Sequence, residues 1–140
     1  FAQIDGDWHE AVRCFHHAYD LGGEEYGYCL GTALNFLNRG PEAISILKEQ
    51  AERVQPDSMS WFQLAVAYEQ AGEDGAATSS YQKAIALDPD YDLAWFNLGG
   101  VFWNAGATEA ARKTWRAAVE KFPDHELAIK LQSEPGFLRD

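Results

Sequence analysis

Apolar residues along this chain fall into paired helical stripes that return every 34 positions. Between 58 and 91, Trp61, Leu64, Ala65 and Tyr68 stand at i, i+3, i+4 and i+7, the spacing of one helix face. Ala71-Gly72 interrupts this stripe, and Ala77, Tyr81, Ala84 and Ile85 form a second. Asp88-Pro89 ends that helix, because the residue before a proline is pushed out of the helical region. Asp92 or a neighbour is then placed to cap the next helix. The pattern predicts a helical hairpin with no strand.

The hairpin repeats. Trp61, Phe62 and Leu64 return as Trp95, Phe96 and Leu98, and Pro89-Asp90 returns as Pro123-Asp124; ten of 34 positions are identical between 58–91 and 92–125. Upstream, Leu30, Gly31 and Leu34 stand 34 before Leu64, Ala65 and Tyr68, with Pro56 one residue out of step. Residues 1–23 read as a partial repeat, one helix around Trp8–Tyr19 whose partner is missing or reduced to Phe1–Ile4. Glu126–Gln132 reads as a closing helix stopped by Pro135-Gly136, with the tail running to 140. The expected array is therefore a half unit (1–23), three units (24–57, 58–91, 92–125) and a capping helix (126–140), about eight helices in all. A fixed period of this length marks stacked units, each unable to bury its own stripes alone. Gly31, Ala65 and Gly99 fall where the helices of a hairpin cross, with Ala43, Ala77 and Ala111 opposite and Leu47, Tyr81 and Trp115 filling the space beside them.

These residues resemble the tetratricopeptide repeat (TPR) family. Trp61, Leu64, Ala65, Tyr68, Gly72, Ala77, Tyr81, Ala84 and Pro89 match its signature in order and spacing, and Trp95, Leu98, Gly99, Phe102, Gly106, Ala111, Trp115, Ala118 and Pro123 match it again. The 24–57 unit departs from it, with Gly27 in the tryptophan position and Asn38 in the turn-glycine position. The resemblance implies an all-α right-handed superhelix, an α-solenoid of stacked antiparallel hairpins. First helices would line a concave groove and second helices would form the convex back.

The resemblance makes that groove the candidate ligand surface. Tyr28, Thr32 and Phe36 occupy the outward stripe of the first unit's leading helix, together with Glu25 before them; Met59, Phe62, Val66 and Glu69 occupy the next; Leu93, Phe96, Gly100 and Trp103 the third. Tyr28, Phe62 and Phe96 form an aromatic ladder, and Gly100 between Phe96 and Trp103 leaves a gap for one side chain. The alternative for the ladder is ordinary core packing. No Lys or Arg lies in 24–37, 58–71 or 92–105, so these stripes cannot clamp a carboxylate or phosphate by charge. The family's clamp for acidic chaperone tails is therefore missing, and Asn97 alone falls at a matching place.

Composition narrows the partner. A net charge of −11, from 22 acidic and 11 basic residues, argues against nucleic acid and anionic membrane surfaces. Acids at the inter-unit turns (Asp57, Asp88, Asp90, Asp92, Asp124) read chiefly as helix caps. Cys14 and Cys29 form no metal or redox motif and read as reduced, half-buried thiols, which favours a cytoplasmic setting. His9-Glu10 begins something like a zinc-protease motif, but Arg13 stands where the second histidine is needed. His16, His17 and His125 read as solvated, and no nucleophile elbow or phosphate loop is present.

The expectation is thus a non-enzymatic scaffold or adaptor without metal or cofactor, binding a protein or peptide that is apolar or aromatic and neutral to basic. Two rivals remain: a regulatory array attached to a catalytic domain outside this chain, and a structural protein that assembles with itself through its open N-terminal end.

Overall fold

The computed structural model describes residues 2–21, 27–52 and 57–138. Glu25, Pro56 and the last two residues lie outside these. Eight α-helices follow in order among the described residues: α1 (Ala2–Asp20), α2 (Gly27–Phe36), α3 (Gly40–Ala51), α4 (Ser58–Gln70), α5 (Asp74–Leu87), α6 (Asp92–Asn104), α7 (Thr108–Lys121) and α8 (Glu126–Ser133). A short 3-10 turn, Pro135–Phe137, follows α8. Each helix packs on its neighbours in sequence and the whole is an α-solenoid without a strand among the described residues.

Of the two expected starts, the reduced partner helix is not what the described residues form. Residues 2–4 are the first turn of α1 itself rather than a reduced partner helix. A lone Gly6 costs a helix only about 1 kcal/mol, too little to break it. Val12 is buried with Leu30 and Leu47, Phe15 and Tyr19 are half-buried, and the Tyr19 hydroxyl donates to the Glu49 carboxylate at 2.8 Å. The apolar stripe of α1 is thus largely covered by α2 and α3.

Three hairpins turn in the same way. Asn38, Gly72 and Gly106 have φ of 59°, 77° and 84°, the left-handed conformation that reverses a helix end. In each, the following backbone N–H reaches back five residues: Arg39 to the Leu34 carbonyl at 2.8 Å, Glu73 to Tyr68 at 2.9 Å, Ala107 to Phe102 at 2.9 Å. Asparagine tolerates this conformation better than any other side-chain-bearing residue, which is why the first unit keeps its turn without glycine.

The hairpin crossings depend on missing side chains. A Cβ on Gly31 would lie 2.3 Å from Leu47 Cδ2, and one on Gly99 would lie 2.2 Å from Trp115 Nε1. Ala65 plays the same part against Tyr81; both are fully buried. Gly27 replaces tryptophan for a related reason, since its Cβ would lie 2.2 Å from Gln50 Nε2. The Trp115 indole N–H donates to the Phe96 carbonyl at 3.0 Å, which locks the third crossing.

Helix ends are settled locally. Asp57 caps α4, accepting from the Ser60 N–H at 2.7 Å. Leu87 ends α5, and Asp88 turns extended ahead of Pro89. Asp92 is not the cap of α6: Tyr91 holds that position and Asp92 is the first residue of the helix, accepting from the Leu93 N–H at 2.8 Å. Cys14 and Cys29 are exposed rather than half-buried, on faces of α1 and α2 turned from the core.

Gly99 and its neighbour provide a matched test. Gly99→Ala should destabilise the chain by about 1–3 kcal/mol, because Trp115 must move. Gly100→Ala, with nothing within 4 Å of its Cβ, should stabilise by about 0.5–1 kcal/mol through helix propensity alone. Urea denaturation of both variants checks the opposite signs; two losses of similar size would refute the crossing argument.

Candidate functional site

Alternate first helices α4 and α6, with the closing helix α8, border a cavity of about 650 Å³ on the inner side of the stack. Val66, Glu69 and Gln70 of α4 form one wall, and Leu127, Lys130, Leu131 and Glu134 from α8 and the residue after it form the other. Phe96, Asn97 and Gly100 of α6 lie between them, with Tyr81 and Trp115 below and Phe137 at one end. Gly100 leaves the space open, as nothing stands within 4 Å of where its Cβ would be.

Four of the expected groove residues, Val66, Glu69, Phe96 and Gly100, meet at this cavity. The others are distributed differently. Tyr28 and Thr32 are half-buried on α2. Phe36, Met59 and Leu93 are exposed, at 62%, 50% and 42%. Trp103 does not flank the gap beside Gly100. It packs on Trp115 (5.6 Å between ring centres) and Phe137 (5.0 Å), with the Arg112 guanidinium 5.7 Å from its ring.

The aromatic ladder is largely core. Phe62 and Phe96 are buried, so they are not the exposed anchors expected of them. Each is covered by the residue that precedes the next unit's leading helix. Phe62 stacks on Tyr91 at 4.8 Å, and 34 residues later Phe96 stacks on His125 at 4.8 Å. The aromatic character of Tyr91, with His125 in register, carried that signal in the sequence. Burial pushes the Tyr91 phenol up to about 12, with Tyr28 nearby adding to the rise. His125 is likewise not simply solvated: its Nδ1 accepts from the Leu127 N–H at 3.1 Å, capping α8, and its Nε2 lies 3.2 Å from Asp92. Asp90 sits 3.4 Å from Lys121, so the acids of the inter-unit turns are largely engaged within the chain.

The polar part of the cavity is a chain across three helices. The Tyr81 hydroxyl donates to Glu69 Oε1 at 2.6 Å, and the Asn97 amide donates to the Tyr81 oxygen at 3.4 Å. Tyr81 is fully buried, and its phenol is raised by that burial and by Glu69. Burial also holds the Glu69 carboxyl above its ordinary range, with Asp74 adding to the rise and the Tyr81 bond opposing it. The Gln70 side chain turns away toward α2, donating to the Asn35 carbonyl at 2.8 Å.

The surface is not wholly free of cations. The leading helices carry none, but the closing helix brings Lys130 to the cavity wall. What the sequence could not locate is α8 as a wall, since the closing helix has no counterpart later in the repeat. No group of three or more metal-ligating side chains stands together among the described residues, and no helix there is long and apolar enough to cross a membrane.

Comparison with known proteins agrees with this architecture. A family model described as "TPR repeat" matches residues 65–106, and one described as "Tetratricopeptide repeat" matches 93–125. No curated protein sequence matches the chain. Among solved structures, MamA superposes with a TM-score of 0.80 at 26% identity, over 99% of this chain and 84% of that one. YrrB, described as a TPR protein with an unusual peptide-binding site, superposes with a TM-score of 0.83 at 25% identity, over 93% of this chain and 68% of that one. PcrH, solved in complex with the chaperone binding region of PopB, gives 0.70 at 16% identity over 84% and 95%, a likeness of fold alone.

Glu69 supplies a test of the polar chain. A carboxyl raised in the folded state contributes stability that is present below its unfolded value and lost as pH rises through the folded value. Glu69→Gln should therefore lose less stability than the parent chain between acid and neutral pH. Urea midpoints at the two ends of that range measure it, and identical pH dependence would show that Glu69 carries no shift.

Proposed function

Because the chain belongs to the tetratricopeptide repeat family, we propose that it holds its partner in the cavity between α4, α6 and α8. The fold is typically an interaction scaffold and not a catalyst, and this chain is a protein- or peptide-binding scaffold. The observation that carries the reading is the 650 Å³ cavity opened by Gly100 on the inner side of the array. Its lining is mostly apolar, with Val66, Phe96, Leu127, Leu131 and Phe137 around a few polar groups, the composition of a site for a side chain of a bound segment. That YrrB is described as having a peptide-binding site supports the same use of a related fold.

The partner in this reading is an extended or helical segment with apolar or aromatic anchors and neutral to positive charge. Exposed Met59 and Leu93 extend the apolar surface along the same helices. Phe96 contributes as part of the cavity lining, whereas Phe62 is core that supports the groove. Self-association through the N-terminal end has less support, because Val12 is buried within the chain.

Gly100→Leu should fill the cavity without disturbing the fold and weaken partner capture by more than about tenfold. Lys113→Ala, on the exposed face of α7, should leave it unchanged. Affinity capture from a lysate, quantified for both variants at equal helicity, decides the matter. Loss with Lys113→Ala but not with Gly100→Leu would place the partner surface on the back. By contrast, Phe62→Ala should cost about 3–5 kcal/mol of stability, as the deletion of a buried ring does.

A further inference from the structure

We infer that the cavity is a subsite for a positively charged side chain, Arg or Lys, whose alkyl stem crosses Gly100 and whose charged head meets Glu69. This rests on the scaffold reading above and names the chemistry of the residue that enters. Glu69 lines the cavity, and among the described residues the Tyr81 hydroxyl, on Oε1, is the one hydrogen-bond partner of its carboxylate. Among the described residues no cation acts on it; the neighbouring charge that does is another acid, Asp74. A half-buried carboxylate with one neutral donor is incompletely compensated, and the natural complement is a charge-assisted donor from outside.

The geometry around it suits a long basic side chain rather than a free cation. Val66 on one wall and Leu127 and Leu131 on the other are apolar surfaces for a methylene stem, and Gly100 keeps the floor clear. Asn97, beside Tyr81, adds a polar contact next to the carboxylate. Lys130 opposes this assignment in sign; it lines the same cavity with Glu134 on and after α8, and makes no ion pair with Glu69 among the described residues. The charged residues lining the cavity are two acids and one base, so the cavity carries one net negative charge within a chain of net −11. Lys130 is then expected to weaken the binding of a cation, which gives the proposal a second, opposite-signed consequence.

Three capped tripeptides serve as probes: acetyl-Leu-Arg-Leu-amide, and the same peptide with norleucine or glutamate in place of arginine. Each is titrated into the isotopically labelled chain, following the backbone amides of Asn97 and Gly100 by NMR. The arginine peptide should shift these amides and bind about tenfold more tightly than the norleucine peptide, with the glutamate peptide weakest. Glu69→Gln, which keeps an acceptor for Tyr81, should reduce the arginine peptide to the norleucine level. Lys130→Met should tighten the arginine peptide. Equal affinities for arginine and norleucine, or an arginine preference that survives Glu69→Gln, would overturn the subsite. If arginine and norleucine bind equally and Gly100→Leu abolishes both, the cavity still holds partner side chains and only the cation assignment fails. If no peptide moves these amides at millimolar concentration, or Gly100→Leu changes nothing, the subsite falls and the wider reading of this cavity falls with it.

Discussion

The array depends on one constraint: at each hairpin crossing a small residue must face a large one. Gly31 faces Leu47, Ala65 faces Tyr81 and Gly99 faces Trp115. The backbone of one helix approaches the other within the width of a missing Cβ, and the large side chain fills the space that remains. Everything on the inner side follows from which large residue is used. Leu47 has no polar atom, so the positions around it pair directly: the Asn35 amide donates to Gln63 Oε1 at 3.0 Å. Tyr81 brings a hydroxyl into the equivalent place, and Glu69 and Asn97 close around it. Trp115 is larger still, and Trp103 packs on its ring where Glu69 stood one unit earlier.

A second contact recurs with the period and fixes where each next helix starts. Phe62 on Tyr91 and Phe96 on His125 are the same stack one period apart, each joining a leading helix to the turn before the next. An offset aromatic stack adds about 0.5–1.5 kcal/mol beyond area burial. It also explains why an aromatic recurring every 34 residues need not mark a ligand surface. The Phe62 ring lies edge-on to Tyr81 of its own hairpin at 5.6 Å and is stacked on by Tyr91, so both its surroundings are core. Reading the helix face by spacing alone misses this cover, because Tyr91 and His125 stand in the turn beyond the hairpin, at the caps of α6 and α8.

Helix placement and crossing residues were legible because both are encoded within one period: stripes at i, i+3, i+4 and i+7, breakers at Gly72 and Gly106, and Asn38 as the tolerated substitute. Of the two starts the sequence offered, a reduced partner helix was the wrong one, because residues 2–4 simply extend α1. The site was half legible. Glu69, Val66, Phe96 and Gly100 could be placed on one face by spacing alone. Leu127, Lys130 and Phe137 could not, since they enter from the closing helix and the turn after it, where the period has ended.

The cavity itself arises from a break in the repeat. The positions equivalent to Gly100 are Val66 and Thr32, and each carries a side chain that occupies the inner face of its unit. At 100 the side chain is absent, although glycine in a helix interior costs about 1 kcal/mol relative to alanine and no close contact there demands it. Gly99, its neighbour, is required by Trp115; Gly100 is required by nothing in the fold. A residue that weakens its helix without serving the packing leaves the open space as its only structural consequence. That space lies where the closing helix, Tyr81 and Glu69 converge, so a side chain entering over Gly100 would meet all three.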